Sequence, residues 1–73
     1  MEKVTVFGGS GFLGSHVADE LTYRGYCVLI ADVKKSNYLK ESQQFMKCDI
    51  MDPSKVTDAS DGSTIVYNFC GYG

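Results

Sequence analysis

The feature that most constrains the fold is a glycine-rich run, FGGSGFLG, at residues 7–14. It directly follows KVTVF at residues 3–7, and an apolar, β-branched run that stops at glycine is typical of a buried strand entering a tight turn. Beyond the turn, Leu13, Val17 and Leu21 recur every four positions, the spacing of one helix face. The run therefore predicts a strand, a tight turn and a helix in direct succession.

The rest of the chain predicts strands joined by crossovers. Strands are expected at 26–31, 44–48 and 64–69, helices at 11–24 and 53–59, and a polar loop with room for one helical turn at 33–43. Connections of this length require parallel strands and right-handed crossovers. The predicted fold class is α/β, the N-terminal half of a Rossmann-type doubly wound parallel sheet with strand order 3-2-1-4. Its ligand crevice is expected at the carboxyl ends of the strands, between the first and the fourth.

Composition and charge exclude several classes of function. The chain has 73 residues, 44% hydrophobic and 22% charged, which argues for one globular domain or a piece of one and against disorder, collagen or a coiled coil. Seven basic residues are scattered among nine acidic ones, so no nucleic-acid partner is expected. Neither a leader nor a long apolar run is present, which predicts a cytoplasmic chain without a membrane partner. Cys27, Cys48 and Cys70 lack metal-ligand spacing, so free thiols and no metal site are expected.

Glycine has a separate physical task at three positions of the turn. Gly8 allows the sharp turn, Gly11 lets phosphate oxygens reach backbone N–H groups without meeting a Cβ atom, and Gly14 lets the helix pack close to the sheet. The helix start adds orphan N–H donors and partial positive charge. The turn is therefore predicted to bind a dinucleotide diphosphate, with a merely structural turn as the alternative. A P-loop is excluded, because Ser15 and His16 stand where it requires Lys and then Ser or Thr.

Asp32 stands at the end of the second predicted strand, eighteen residues after Gly14. This is close to the spacing at which a carboxylate accepts both hydroxyls of an adenosine ribose. Because a carboxylate repels a 2′-phosphate, NAD is the predicted cofactor and NADP the less favoured one, although Lys34 and Lys35 blur the preference. The alternative is an ordinary solvated loop acid.

From residue 3 to residue 32 the sequence resembles the extended short-chain dehydrogenase/reductase proteins, specifically the NAD-dependent epimerase/dehydratase group that acts on nucleotide sugars. The likeness rests on GGSGFLGSHV at residues 8–17, then Leu21, Arg24-Gly25 and Asp32. It continues more thinly, since CDI at 48–50 is similar to the group's Gly-Asp-Leu segment. VYNFCG at 66–71 is similar to its Val-x-His-Leu-Ala-Ala segment. The sequence departs from the group's pattern at Phe7, Asn68 and Cys70-Gly71, which replace Thr, His and Ala-Ala.

The resemblance implies a set of cofactor contacts. The backbone N–H groups of Phe12 and Leu13 would meet the diphosphate, and Ser36 and Asn37 the adenosine ribose. Residues 49–50 would meet the adenine, and residues 69–71 would pass beside the diphosphate and the nicotinamide ribose. The candidate cofactor-binding residues are Gly8, Gly11, Phe12, Leu13, Gly14, Asp32, Ser36, Asn37, Asp49, Ile50, Phe69, Cys70 and Gly71.

No catalytic residue is predicted within the chain. The resembled family transfers a proton with a Tyr followed four positions later by a Lys, and no Tyr of this sequence has a Lys there. By the resemblance, residues 1–73 are the N-terminal part of an NAD(P)-binding domain whose catalytic and substrate-binding parts lie elsewhere, so this chain alone should be inactive. The remainder of the polypeptide, or a partner, would cover the exposed sheet edge, and a homodimer is possible within the family.

The predicted function is the NAD-binding segment of a nucleotide-sugar epimerase or dehydratase, which moves a hydride reversibly between a sugar carbon and NAD. One alternative is a non-catalytic NAD(P)H-binding regulatory or scaffold module that uses the same turn. Another is a reductase of the same fold that acts on a ketone or a flavonoid.

Overall fold

The computed structural model describes residues 2–35 and 39–70, which form a four-stranded parallel sheet between two helices. The strand order is β3-β2-β1-β4, as the sequence predicts. Every predicted element is present, with its ends within one residue of the predicted ones. The elements are β1 (Lys3–Phe7), α1 (Phe12–Tyr23), β2 (Cys27–Asp32), β3 (Gln44–Lys47), α2 (Pro53–Ser60) and β4 (Ile65–Asn68).

The two central strands, β1 and β2, are buried on both faces. Successive side chains of a strand point to opposite faces, and this alternation divides the core in two. On one face Val6 packs with Ala18 of α1, and on the other Phe7 packs in the same cluster as Ala59 of α2. Coverage on both sides is why β1 and β2 are apolar at eight of their eleven positions.

The helix ends follow from local capping. At the end of α1 the N–H of Arg24 donates to Glu20 and that of Gly25 to Thr22, and Gly25 has φ +93°, in the left-handed region that glycine adopts readily. At the start of α2 the carboxylate of Asp52 accepts the N–H groups of the first turn, and Pro53 occupies the first helical position. The end of α1 and the start of α2 therefore lie where the sequence supplies a cap.

The connection from β2 to β3 is irregular in its described parts, residues 33–35 and 39–43. A turn precedes β3, in which the N–H of Gln43 donates to the carbonyl of Lys40 at 3.0 Å. The described parts of the connection contain no helical turn. The Gln43 side chain is buried and donates to Asp19 and Thr22 of α1, which fastens the connection to that helix.

The strand β4 lies at one edge of the sheet. In the described part of the chain it pairs only with β1, and Val66 and Tyr67 keep 47% and 37% of their surface exposed. Neither helix of that part combines the length and the apolar character needed to cross a bilayer.

Candidate functional site

The glycine-rich turn leaves β1 at Gly8, which has φ +77°. L-residues with side chains rarely adopt this left-handed conformation. A Cβ atom at Gly8 would also lie 2.7 Å from the carbonyl carbon of Phe69, so the end of β4 presses against the turn. Both the backbone conformation and the packing therefore require glycine here, in agreement with the sharp turn expected from the sequence.

Gly14 allows α1 to approach the turn closely. A Cβ atom there would overlap the carbonyl oxygen of Gly8, so the close packing predicted for Gly14 is present. Gly9 is a further tight position, which sequence reasoning did not assign: its Cβ would lie 2.7 Å from Cγ2 of Ile30. The close approach of Gly9 arises between β1 and β2 and has no local signal in the sequence.

Gly11 differs from these three glycines. Its φ of −77° and ψ of 172° suit any residue, and a Cβ atom there would meet only the Gly8 carbonyl oxygen, at 3.4 Å. This is an ordinary van der Waals contact, and Gly11 is exposed. Neither the backbone nor the packing of the described residues requires glycine at this position.

The start of α1 presents unpaired donors beside Gly11. The N–H of Gly11 donates to Gly8 at 3.1 Å, and that of Ser15 donates to Gly11 at 2.8 Å. Between them, the N–H groups of residues 12–14 have no acceptor within the described residues, and the helix has neither a side-chain cap nor an acid in its first turn. A helix start of this kind attracts an anion.

Asp32 ends β2 with its carboxylate beside the turn. One oxygen, Oδ2, accepts the N–H of Ser10 at 3.1 Å, and the other, Oδ1, accepts the N–H of Val33 at 2.7 Å. The carboxylate is thus oriented by backbone donors on both sides. Because two carboxylate oxygens offer about four acceptor positions, capacity remains for further donors.

An open cleft of about 200 Å³ lies at the carboxyl ends of the strands. It is lined by Gly8, Asp32, Val33, Cys48, Asp49, Ile50, Phe69 and Cys70. Six of these were predicted from the sequence as cofactor-binding residues, and Val33 and Cys48 were not. Four other predicted residues, Gly11, Phe12, Leu13 and Gly14, form the rest of the turn and the helix start. Ser36, Asn37 and Gly71 lie outside the described residues.

The two loops that flank the cleft are held by short hydrogen bonds. After β3, the N–H of Cys48 donates to the carbonyl of Asp32 at 2.9 Å, and the Asp49 carboxylate accepts the N–H of Met51 at 2.9 Å. After β4, the N–H of Phe69 donates to Phe7 at 2.7 Å. Because the N–H of Gly8 also donates to the carbonyl of Ala31 at 2.8 Å, the carboxyl ends of all four strands are tied together around the cleft.

The cysteine thiols are free, as predicted. Burial raises the pKa of the Cys48 thiol, and the negative charge of Asp52 raises it further. Burial also raises the pKa of Cys70, with a second contribution from the charge of Asp32. Both thiols are therefore protonated at neutral pH, and the described residues contain no cluster of three or more metal-ligating side chains.

A larger groove of about 430 Å³ runs between α1 and β4. Its charged members, Glu20 and Arg24, pair with each other at 2.9 Å and are both exposed. The remaining lining is mostly apolar and aromatic, and includes Val17, Leu21 and Tyr67. Because the charged groups of this groove pair with each other, whereas Asp32 and Asp49 line the cleft at the strand ends, that cleft is the better candidate for a polar ligand.

A parallel sheet in the order 3-2-1-4, with a glycine turn after β1 and an acid at the end of β2, defines a Rossmann-type fold. The sequence profile of the NAD dependent epimerase/dehydratase family matches residues 4–73. The chain belongs to this family, which confirms the resemblance that the motifs indicate.

Individual relatives agree with this assignment. Over 67 residues the chain is 34% identical to the mouse (Mus musculus) protein "Sterol-4-alpha-carboxylate 3-dehydrogenase, decarboxylating". The matched region covers 92% of this chain and 18% of the mouse protein. Over 47 residues it is 36% identical to the GDP-mannose 3,5-epimerase of Arabidopsis thaliana, covering 64% of this chain and 12% of that protein. The chain thus spans less than a fifth of the length of these relatives.

Solved structures show the same fold. The UDP-glucose 4-epimerase of Thermotoga maritima, solved with UDP-glucose, has a TM-score of 0.79 and 26% identity, covering 97% of this chain and 25% of that one. A Y136A mutant of uronate dehydrogenase from Agrobacterium tumefaciens, complexed with NAD, has a TM-score of 0.84 over 100% of this chain and 28% of that one. At 20% identity, the second likeness is one of fold alone.

Proposed function

We propose that this chain binds NAD in the cleft at the strand ends, as the N-terminal cofactor-binding part of an oxidoreductase of the epimerase/dehydratase type. The observation that carries the proposal is that position 11 is glycine, although neither the backbone conformation nor the packing of the described residues requires glycine there. It stands at the helix start, where the N–H groups of residues 12–14 lack acceptors. A diphosphate needs both the open space and the donors, so it accounts for this glycine.

The remaining groups of the cleft fit the rest of a dinucleotide. Asp32 holds its carboxylate in place with two backbone donors and has acceptor capacity left for the hydroxyls of the adenosine ribose. Asp49 and Ile50 line the cleft on the β3 side, which suits the adenine. Phe69 and Cys70 line it on the β4 side, where the diphosphate continues toward the nicotinamide. The proposed contacts of Ser36, Asn37 and Gly71 rest on the family resemblance.

Charge at the ribose end favours NAD over NADP. The negative charge of Asp32 repels a 2′-phosphate placed at the same hydroxyls. Lys34 and Lys35 are exposed in the following loop, so solvent screens their attraction for such a phosphate. We therefore propose NAD as the cofactor.

For the whole protein we propose reversible hydride transfer between a sugar carbon of a nucleotide sugar and NAD. The cofactor supplies the hydride acceptor when it is bound, and the residues of this chain bind and orient it. The names of the relatives support the class, since the Arabidopsis protein is an epimerase of a GDP-linked sugar. The mouse relative is named a sterol dehydrogenase, so a different substrate is the principal competing proposal.

We also propose that residues 1–73 are the N-terminal part of a longer cofactor domain. The share of relatives and solved structures that the chain spans, from 12% to 28% in the four described above, supports this arrangement. The rest of the polypeptide would then supply the proton-transferring Tyr and Lys and cover the exposed edge of β4. A cytoplasmic location and a homodimer stay predictions.

Calorimetric titration of NAD and NADP into the intact protein tests the cofactor proposal. We expect NAD to bind and Asp32→Ala to weaken it at least about tenfold, since a charge-assisted hydrogen bond contributes roughly 1.5–3 kcal/mol. Asp58→Ala, which removes an exposed acid of α2, is the matched control and should bind NAD like the wild-type protein. Folded protein that is purified without cofactor and binds neither dinucleotide would sink the proposal.

A second assay separates an enzyme from a non-catalytic NAD(P)H-binding module. The intact protein is incubated with NAD and a panel of UDP-sugars, GDP-sugars and sterols, and the products and NADH are both measured. A nucleotide sugar that is epimerised, dehydrated or oxidised supports the enzyme. Tight NAD binding without turnover of any sugar or sterol substrate would favour the regulatory or scaffold module.

A further inference from the structure

The hydroxyl of Ser10, in the middle of the glycine-rich turn, has no hydrogen-bond partner among the described residues. Its Oγ atom is buried, and it is the one buried side-chain oxygen or nitrogen in that part of the chain without a partner. Buried hydroxyls are nearly always paired, because leaving one unpaired forfeits its hydrogen bonds with water. An unpaired hydroxyl in a turn otherwise made of glycine therefore calls for an explanation.

The surroundings of Ser10 point to the ribose end of the cleft. The backbone N–H of the same residue donates to Oδ2 of Asp32 at 3.1 Å, so the serine and the carboxylate are direct neighbours. Asp32 lines the cleft, and Ser10 lies two residues before the first residue of α1. Rotation about the Cα–Cβ bond of Ser10 moves its hydroxyl between three staggered positions without moving the backbone.

The chemistry of a ribose explains why a hydroxyl is useful beside a carboxylate. Each ribose hydroxyl carries one proton to donate and lone pairs that accept. Asp32 in its ionised form can only accept hydrogen bonds. It can therefore accept the O–H of a ribose hydroxyl, but it cannot donate to the lone pairs of that hydroxyl oxygen. The Ser10 O–H is a donor adjacent to that carboxylate. Together the two side chains can pair with a ribose hydroxyl both as a donor and as an acceptor.

We propose that Ser10 is a cofactor-binding residue whose side chain turns on binding and donates its O–H to an adenosine ribose hydroxyl that itself donates to Asp32. This inference rests on the NAD-binding function proposed above and adds a group to it. The diphosphate is the weaker candidate acceptor for the Ser10 hydroxyl. The N–H groups of residues 12–14 are the donors that we assign to the diphosphate, and the backbone N–H of Ser10 is bonded to Asp32 instead.

The test compares wild-type protein with Ser10→Ala in titrations of NAD and of its 2′-deoxyadenosine and 3′-deoxyadenosine analogues. We expect Ser10→Ala to weaken NAD binding about threefold to tenfold, the usual size of one neutral hydrogen bond. The same substitution should cost nothing against the one analogue that lacks the hydroxyl Ser10 contacts. Thermal unfolding without cofactor should show an unchanged or raised Tm, because the substitution removes an unpaired buried hydroxyl.

The outcomes separate this inference from the proposed function. If wild-type protein does not bind NAD, the proposed function fails. If it binds and Ser10→Ala binds equally well, only the role of Ser10 is overturned. A loss of the same size for NAD and both analogues would place the hydroxyl on another part of the cofactor and also overturn the assignment. Ser60→Ala, a serine at the far end of α2, is the matched control and should change neither the affinity nor the ratio between analogues.

Discussion

The backbone N–H of Ser10 donates to Oδ2 of Asp32 at 3.1 Å, which joins the glycine-rich turn after β1 to the end of β2. Oδ1 of the same carboxylate accepts the N–H of Val33 at 2.7 Å. Asp32 therefore has a structural task in the protein without ligand as well as the cofactor task proposed for it. The carboxylate is held in position before any ribose arrives, which reduces the ordering that binding requires.

This double task predicts that Asp32 contributes to stability. Asp32→Ala removes the acceptor of two backbone N–H groups, of which that of Ser10 is partly buried. We expect the free energy of unfolding to fall by about 1.5–2 kcal/mol, the lower end of the range for hydrogen bonds to a charged group, because the Val33 side of the carboxylate is exposed to solvent. Denaturant titration without cofactor measures it. An unchanged unfolding free energy would mean that these hydrogen bonds do not stabilise the turn.

Gly14→Ala tests the close approach of α1 to the turn. The added Cβ would overlap the carbonyl oxygen of Gly8, a backbone atom that cannot rotate away. We expect α1 to be displaced and the protein destabilised by about 3 kcal/mol or more, at the upper end for overpacked sites. The midpoint of chemical unfolding reports this, with Gly11→Ala as the comparison at an open position. Equal effects of the two substitutions would contradict the geometry.

Thr5→Val tests the one hydroxyl of the central strand β1. Thr5 is fully buried, and its Oγ1 donates to the carbonyl of Ala59 at 2.7 Å, so it accepts the hydroxyl of Ser63 in the 2.5 Å hydrogen bond between them. Valine keeps the shape and leaves these partners unsatisfied, so a loss of about 1–3 kcal/mol is expected. Thr57→Val is the control, since its hydroxyl bonds the Pro53 carbonyl at an exposed site and should change stability by less than about 0.5 kcal/mol. Similar losses in both variants would refute the buried role of Thr5.

The cap of α2 predicts a pH dependence of stability. Hydrogen bonds from the Ser54 side chain and from the backbone of Lys55 lower the pKa of Asp52 below its ordinary value of 3.8. A lowered pKa means that the ionised cap stabilises the fold above that ordinary value, and that this contribution is lost as the pH falls through the lower pKa of the folded state.

Thermal unfolding over a series of pH values measures the effect. The advantage of wild-type protein over Asp52→Ala should be complete above pH 3.8 and shrink below it. Asp52→Asn is the matched control, because asparagine caps a helix without titrating in this range. An advantage over Asp52→Ala that stays constant down to the most acidic pH would show that the charge of Asp52 is not involved.

The elements that sequence reasoning predicted well are those with local causes. The turn and α1 follow from glycines and a four-residue period within residues 7–24, and Asp32 follows from its distance to the turn. Strand order followed as well, because crossover handedness and the position of the glycine turn leave few arrangements for four parallel strands.

The features that sequence reasoning missed are contacts between distant segments. Thr5 meets Ala59 across 54 positions, and the N–H of Ser10 meets Asp32 across 22. The approach of Ile30 to Gly9 and the presence of Cys48 in the cleft wall are of the same kind. None of these has a periodicity or a motif, since each depends on how separate elements pack.

The central claim, that the glycine-rich turn binds a dinucleotide, is tested most directly by titrating NAD into Gly11→Ser. Serine suits the backbone conformation of Gly11, has space for its Cβ, and is a favourable N-terminal cap. Its hydroxyl would accept the N–H groups that we assign to the diphosphate. We predict a variant as stable as the wild-type protein or more so, with NAD binding weakened at least about tenfold, more than the loss of one neutral hydrogen bond. A stable variant that binds NAD as tightly as the wild-type protein would contradict the claim.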